Sequence, residues 1–192
     1  MTLMLILIVS YFLGAIPNGL IFGRLIWNVD LRQHGSGNIG ATNAWRTIGK
    51  PAGLLIFALD FLKGFISVWL AATFVQTPIS MIAAGLIAIL GHSLSIFLKF
   101  KGGKGVATGL GVVAMLMPKV TLIVFATWLI IVLITRYVSL GSVIASALVP
   151  ILAFAFDYPV EFIIFGLIAA AFIIFRHRSN IIRLKNGNEN KV

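Results

Sequence analysis

Seven apolar runs separated by short polar breaks leave this chain too little polar surface to fold in water. They cover residues 2–27, 51–75, 79–98, 106–117, 119–135, 138–156 and 159–175. Of the 192 residues, 60% are hydrophobic and only 10% are charged. A soluble domain of that length needs a polar shell, and hydropathy here overrides what the length alone would suggest. The expected fold is an all-α integral membrane protein of seven transmembrane helices, one domain over residues 1–192. Pro51, Pro78, Pro118 and Pro159 stand where helices start or stop. Residues 2–26 lack a basic stretch before the apolar run and outlast a secretory signal core, so they read as a retained first span.

Charge placement sets the expected topology. The formal net charge is +10, which in a soluble protein would point to nucleic acid but in a membrane protein is first a matter of sidedness. With the N-terminus outside, thirteen of the fifteen Lys and Arg residues fall on the cytoplasmic side, at Arg24, Arg32, Arg46, Lys50, Lys99, Lys101, Lys104, Arg136, Arg176, Arg178, Arg183, Lys185 and Lys191. Only Lys119 falls outside, and Lys63 lies within a span. The asymmetry predicts an N-terminus outside, a cytoplasmic C-terminus and no nucleic-acid partner. The fourth run has twelve residues, about 18 Å of helix against a hydrocarbon core of about 30 Å. Either that helix begins back at Gly102, or the glycine-rich stretch before it lies within the membrane boundary and faces protein or a wet cavity.

Three polar clusters gather on the predicted cytoplasmic side. The first runs from His34 to Arg46 and includes Gly35, Ser36, Gly37, Asn38, Gly40, Thr42 and Asn43. Its formal G-x-G-x-x-G is no dinucleotide fingerprint, because no strand precedes it. It reads as a loop of small and amide residues whose backbone N–H groups approach an anion, with Arg46 as a bidentate donor. The second, Lys99 to Thr108, alternates Lys101 and Lys104 with Gly102, Gly103 and Gly105 just ahead of a helix. It lacks P-loop spacing, yet exposed amides, helix dipole and ammonium charge together make an anion site. The third contains Arg176, His177, Arg178, Asn180 and Arg183. If the last helix continues, His177, Asn180 and Leu184 share one face.

Within the spans, Asp60 and Lys63 are three residues apart and read as a buried ion pair, while His92 suits a structural hydrogen bond as well as a chemical role. The five acidic residues form no cluster, which argues against a metal requirement, and there is no cysteine for a thiolate.

In their order and placement these clusters closely resemble the bacterial membrane acyl-phosphate:glycerol-3-phosphate acyltransferase family. The residues that carry the resemblance are Gly35 to Asn43, Gly91-His92, Lys101 to Thr108 and His177 to Asn180, with Gly14 to Gly19 and Leu59 to Gly64 in support. The likeness runs over essentially the whole chain. It implies transfer of a fatty acyl group from acyl phosphate to the sn-1 hydroxyl of glycerol 3-phosphate, yielding lysophosphatidate and phosphate, at the cytoplasmic face of the bacterial inner membrane. No cofactor or metal is expected; the partners are the two substrates and membrane lipid. An activated donor suits direct attack without a covalent intermediate. On this reading Lys104 with the Gly102 and Gly103 amides holds the acyl phosphate, while Ser36, Asn38 and Arg46 grip the glycerol phosphate. His177, supported by Asn180, orients or deprotonates the hydroxyl, unless a substrate phosphate oxygen is the base. Gly37, Gly40, Thr42, Asn43, His92, Lys101, Gly105 and Arg178 complete the expected binding set. A transporter of an organic phosphate is the alternative from another class.

Overall fold

A computed structural model describes residues 1–192, all of whose regular structure is helical. The chain divides into two compact units, Met1–Val112 and Val113–Val192.

The first unit contains α1 (Thr2–Ala15), α2 (Asn18–Trp27), α3 (Ala41–Thr47), α4 (Lys50–Phe74), α5 (Pro78–Ser93) and the start of α6 (Val106–Leu116). Residues 2–27 are not one straight helix. Pro17 has no N–H to continue the ladder and pushes Ile16 to an extended ψ of 118°, so α2 leaves α1 at 42°. Helix α1 packs along α5 and α4. Small residues permit this contact: a side chain on Gly14 would strike the backbone of Ala88, and one on Gly91 the carbonyl of Tyr11. Gly64 of α4 lies equally close to the Thr108 backbone of α6.

The second unit contains α7 (Pro118–Thr135), α8 (Val138–Ala155), α9 (Val160–Arg176) and α10 (Arg178–Lys185), with α8 packed against both α7 and α9. Gly166 allows α9 to approach α8 at Pro150. The last helix does not continue through the third cluster: α10 turns from α9 by 60° at His177. The condition that the last helix continues is not met, but His177 caps α10 and its carbonyl accepts the Ile181 N–H at 2.9 Å, so His177, Asn180 and Leu184 still follow one helical register.

Four helices are long and apolar enough to cross a membrane, α4, α7, α8 and the α5 segment with its following turn, or up to six if each of the two bent pairs is counted as one span. Helix α6 is a shorter apolar helix. Their outward faces suit lipid: Leu133 and Ile134 of α7 are 69% and 77% exposed.

Candidate functional site

In the first unit, the segment from Asp30 to Thr47 is organised by one buried carboxamide. Asn43 Nδ2 donates to the carbonyls of Asn38 (2.8 Å), His34 (3.0 Å) and Leu31 (3.1 Å), and its Oδ1 accepts the Ser36 N–H at 2.9 Å. Three acceptors converge on two donor hydrogens, so one bond is shared. The side chain ties down a turn whose Gly35 and Gly37 have left-handed φ of 59° and 69°. Asn38 Oδ1 accepts the Gly40 N–H at 2.8 Å, an Asx turn that starts α3. What the sequence presents as a loop therefore ends in a short helix, with Thr42 in its first turn and Arg46, half-buried, in its last. Ser36 stands exposed above this frame. Asn43, expected among the binding residues, is buried and serves as the frame's anchor.

Asp30 braces the entry to that segment. It accepts from Arg24 (2.6 Å) and Arg32 (2.7 Å) and caps the Arg32 backbone N–H. The Arg32 side-chain bond, offset in part by burial and reinforced by the Arg32 N–H and by Arg24, holds its carboxyl far below the ordinary carboxylate range.

The second cluster adopts no helix before Val106, so α6 does not reach back to Gly102. Its backbone lies on the end of α5: the Gly103 N–H donates to the His92 carbonyl and the Gly102 N–H to the Ser93 carbonyl, both at 3.1 Å. These two amides are thus engaged with α5 and do not supply the anion contacts expected of them. Lys104 and the first-turn residues of α6 come next in the chain, ahead of the helical bond from the Gly109 N–H to the Gly105 carbonyl at 2.7 Å. Gly105, with φ of 85°, makes the turn from Lys104 into the helix. Lys101 is exposed, Lys104 is half-buried, and Gly102, Gly103 and Gly105 are buried. Beneath them, His92 is 4% exposed and its ring Nε2 occupies the space a Gly103 side chain would need.

The third cluster belongs to the second unit. His177, 3% exposed, places Nδ1 at 2.8 Å from the Ile173 carbonyl. A carbonyl only accepts, so Nδ1 carries the hydrogen and the lone pair of the neutral ring is on Nε2. Asn180 Nδ2 donates to Glu189 Oε1 at 2.7 Å, Ser139 Oγ to the same oxygen at 2.8 Å, and Arg183 Nε to Oε2 at 2.8 Å. Arg178 is exposed and lies over the Phe175 ring. The tail is fastened again at its end, where Arg136 Nε donates to the Val192 carbonyl at 2.5 Å.

Glu189 is the residue that sequence reasoning passes over, because a lone acid in a basic tail belongs to no pattern. Burial pushes its carboxyl up, but the bonds from Asn180, Ser139 and Arg183 outweigh this and hold it below its ordinary value. A lowered folded value stabilises the protein above the unfolded value, and that contribution disappears as pH falls through the folded value. Glu189→Ala removes the acceptor from three donors and should cost about 2–3 kcal/mol, read as a lower unfolding midpoint. The acid-side decline in wild-type stability should be blunted in that variant.

The family model described as glycerol-3-phosphate acyltransferase matches residues 4–187. A glycerol-3-phosphate acyltransferase of Fusobacterium nucleatum is 43% identical over 96% of this chain and 95% of its own length. One from Syntrophomonas wolfei is 41% identical over 97% and 95%. A crystal structure of PlsY, an integral membrane glycerol 3-phosphate acyltransferase in its glycerol 3-phosphate form, covers 100% of this chain and 96% of that chain with a TM-score of 0.95 and 44% identity. The lysophosphatidic acid form matches with a TM-score of 0.92 and 41% identity.

Proposed function

The chain belongs to the glycerol-3-phosphate acyltransferase family and is an enzyme that acylates glycerol 3-phosphate, and from that premise we propose that its donor is an acyl phosphate and its acceptor the sn-1 hydroxyl. The observation that carries the donor assignment is the Lys104 turn. Lys104 and the α6 first-turn amides follow directly on a backbone locked onto His92 and Ser93. Such a turn holds a phosphate rigidly and stabilises it as it leaves.

The reaction is a direct acyl transfer. The glycerol hydroxyl oxygen bonds to the acyl carbonyl carbon, the carbon–oxygen bond to phosphate breaks, and inorganic phosphate departs with the electron pair. Ser36, with Asn38, Gly37, Gly40, Thr42 and Arg46 around it, binds the glycerol phosphate on the Asn43 frame. His177 Nε2 takes the hydroxyl proton, its tautomer fixed by the Ile173 carbonyl. Asn180, held by Glu189, supports it, and Arg178 and Lys101 add positive charge for the two phosphates.

The topology proposed for this chemistry has seven spans over one transferase domain, with α6 as the short one and α1–α2 and α9–α10 as bent ones. The N-terminus is outside, the C-terminus is cytoplasmic, and the membrane is the bacterial inner membrane. Asymmetry of Lys and Arg supports that orientation.

The test is a two-product assay in detergent, with palmitoyl phosphate and sn-glycerol 3-phosphate as substrates. Phosphate and lysophosphatidate should appear in equal amounts, unaffected by EDTA, and palmitoyl-CoA should not replace the donor. Turnover with the CoA thioester alone would overturn the donor assignment. Lys104→Ala should lower kcat/KM for palmitoyl phosphate about a hundredfold, the effect of removing one preorganised donor. A near-normal value in folded protein would remove the Lys104 turn from the reaction.

A further inference from the structure

We propose that Asp60 is a positioning residue of the acyl transfer, acting through His92 on the backbone at Gly102 and Gly103, with Lys63 and Asn18 holding it. The proposal rests on the reading of the Lys104 turn as the acyl-phosphate site.

Three groups converge on a single carboxylate oxygen. Asp60 Oδ1 receives Lys63 Nζ at 2.9 Å and Asn18 Nδ2 at 3.0 Å, and it lies 3.8 Å from His92 Nδ1. Asp60, Lys63 and His92 are 2%, 5% and 4% exposed. Lys63 Nζ also donates to the Ile16 carbonyl at 3.1 Å, in the break between α1 and α2, and Asn18 is the first residue after that break. One ion pair therefore joins the α1–α2 break to α4 and faces α5.

Stability alone does not account for it. Replacing a buried ion pair with apolar residues of similar size is often neutral or stabilising, and ionisable groups within spans are kept for what they do there. What Asp60 reaches is the imidazole of His92. One ring nitrogen faces the carboxylate and the other edge lies against Gly103, while the His92 carbonyl takes the Gly103 N–H. In surroundings of low dielectric a carboxylate orients a ring dipole at 3.8 Å even beyond hydrogen-bond length. Asp60 thus fixes the ring, the ring sets how closely the glycine backbone seats on α5, and that seat determines where Lys104 points. Ser93, next along α5, holds Gly102 by its carbonyl in the same way.

The experiment uses the full-length protein in detergent, with unfolding midpoints measured beside kcat and KM for both substrates. It compares Asp60→Asn/Lys63→Met, His92→Gln, their combination and Lys104→Ala. The paired change removes both charges and leaves no lone ion, so its midpoint should stay near that of the wild type. KM for palmitoyl phosphate should rise about tenfold while KM for glycerol 3-phosphate stays within about twofold. His92→Gln should raise the same constant and add little when combined, since both changes act through one ring. A folded paired variant with both KM values and kcat unchanged would overturn the proposal. So would a lowered midpoint in which the folded fraction keeps wild-type constants. Should the paired variant not fold, His92→Gln decides alone: a selective rise supports the proposal and unchanged constants end it. Unchanged kinetics in Lys104→Ala would instead remove the reading of the Lys104 turn itself, whatever Asp60 does.

Discussion

Gly103→Ala should lower kcat/KM by two to three orders of magnitude, roughly the cost of misplacing a reacting group and losing a preorganised donor together, in a protein that still extracts as a folded species. The cause is collision, not backbone strain. Gly103 is absent from the residues with left-handed φ, but its β-carbon would fall inside the His92 ring. The ring has no room to retreat, being 4% exposed and backed by Asp60. The glycine backbone must then lift from α5, breaking the N–H bond to the His92 carbonyl and carrying Lys104 with it. The span-forming helices do not depend on that segment, so unfolding should change by far less than turnover. Gly187→Ala is the matched control. Its φ of 70° makes alanine strained, but nothing lies within 4 Å, so it should cost only about 1 kcal/mol of stability and leave kcat/KM within a few-fold. Equal losses in both variants would show that Gly103 matters for flexibility and not for the seat on His92.

The contrast explains what sequence reading reaches in this protein. Helices in lipid announce themselves, because a span needs an unbroken apolar run and its lipid face cannot carry charge. Hence α4, α7 and α8 begin and end within a few residues of their apolar runs. The i, i+3 pairing of Asp60 with Lys63 was legible for the same reason: two charges in one apolar segment have few partners but each other, and they meet at 2.9 Å. Breaks within apolar runs are harder. Pro17 marks one, yet proline also occurs within α8 at Pro150 without ending that helix, so the residue type alone does not decide. No proline or glycine marks the 60° turn at His177.

The candidate site was legible as composition and hidden as connectivity. Glycine and lysine at 101–105 signal an anion site, but which amides face the anion depends on a bond partner about ten residues away. The Gly102 and Gly103 N–H groups turn inward to α5, so the proposed donor set keeps Lys104 and loses the two glycine amides. Asn43 looks like any other amide in a polar loop; only its reach to the Leu31 carbonyl, twelve residues back, reveals an anchor. Glu189 binds Ser139 across fifty residues of sequence, a distance at which no periodicity operates.

Asn43→Asp should do more damage than Asn43→Ala, although it is the closer match in shape. The Asn43 amide nitrogen faces the carbonyls of Leu31, His34 and Asn38 at 2.8–3.1 Å. A carboxylate would set a negative oxygen against those three acceptors in a buried place, while its other oxygen still accepts from the Ser36 N–H and the Thr47 hydroxyl. Losing two donor hydrogens at about 1 kcal/mol each gives about 2 kcal/mol, and the repulsion of a buried negative oxygen adds about 2 kcal/mol more, together about a thousandfold in the population of the ordered segment. Alanine also removes the donors but adds no repulsion, so a loss of about thirtyfold is expected. The two variants should separate by pH. Burial and the facing carbonyls raise the new carboxyl's pKa, so acidification protonates it and restores one donor. The kcat/KM of Asn43→Asp relative to wild type should therefore climb as pH is lowered from 8 towards 5, while the Asn43→Ala ratio stays flat. Parallel ratios for both variants across that range would mean that Asn43 acts through the space it fills, and the carbonyls around it would need another donor.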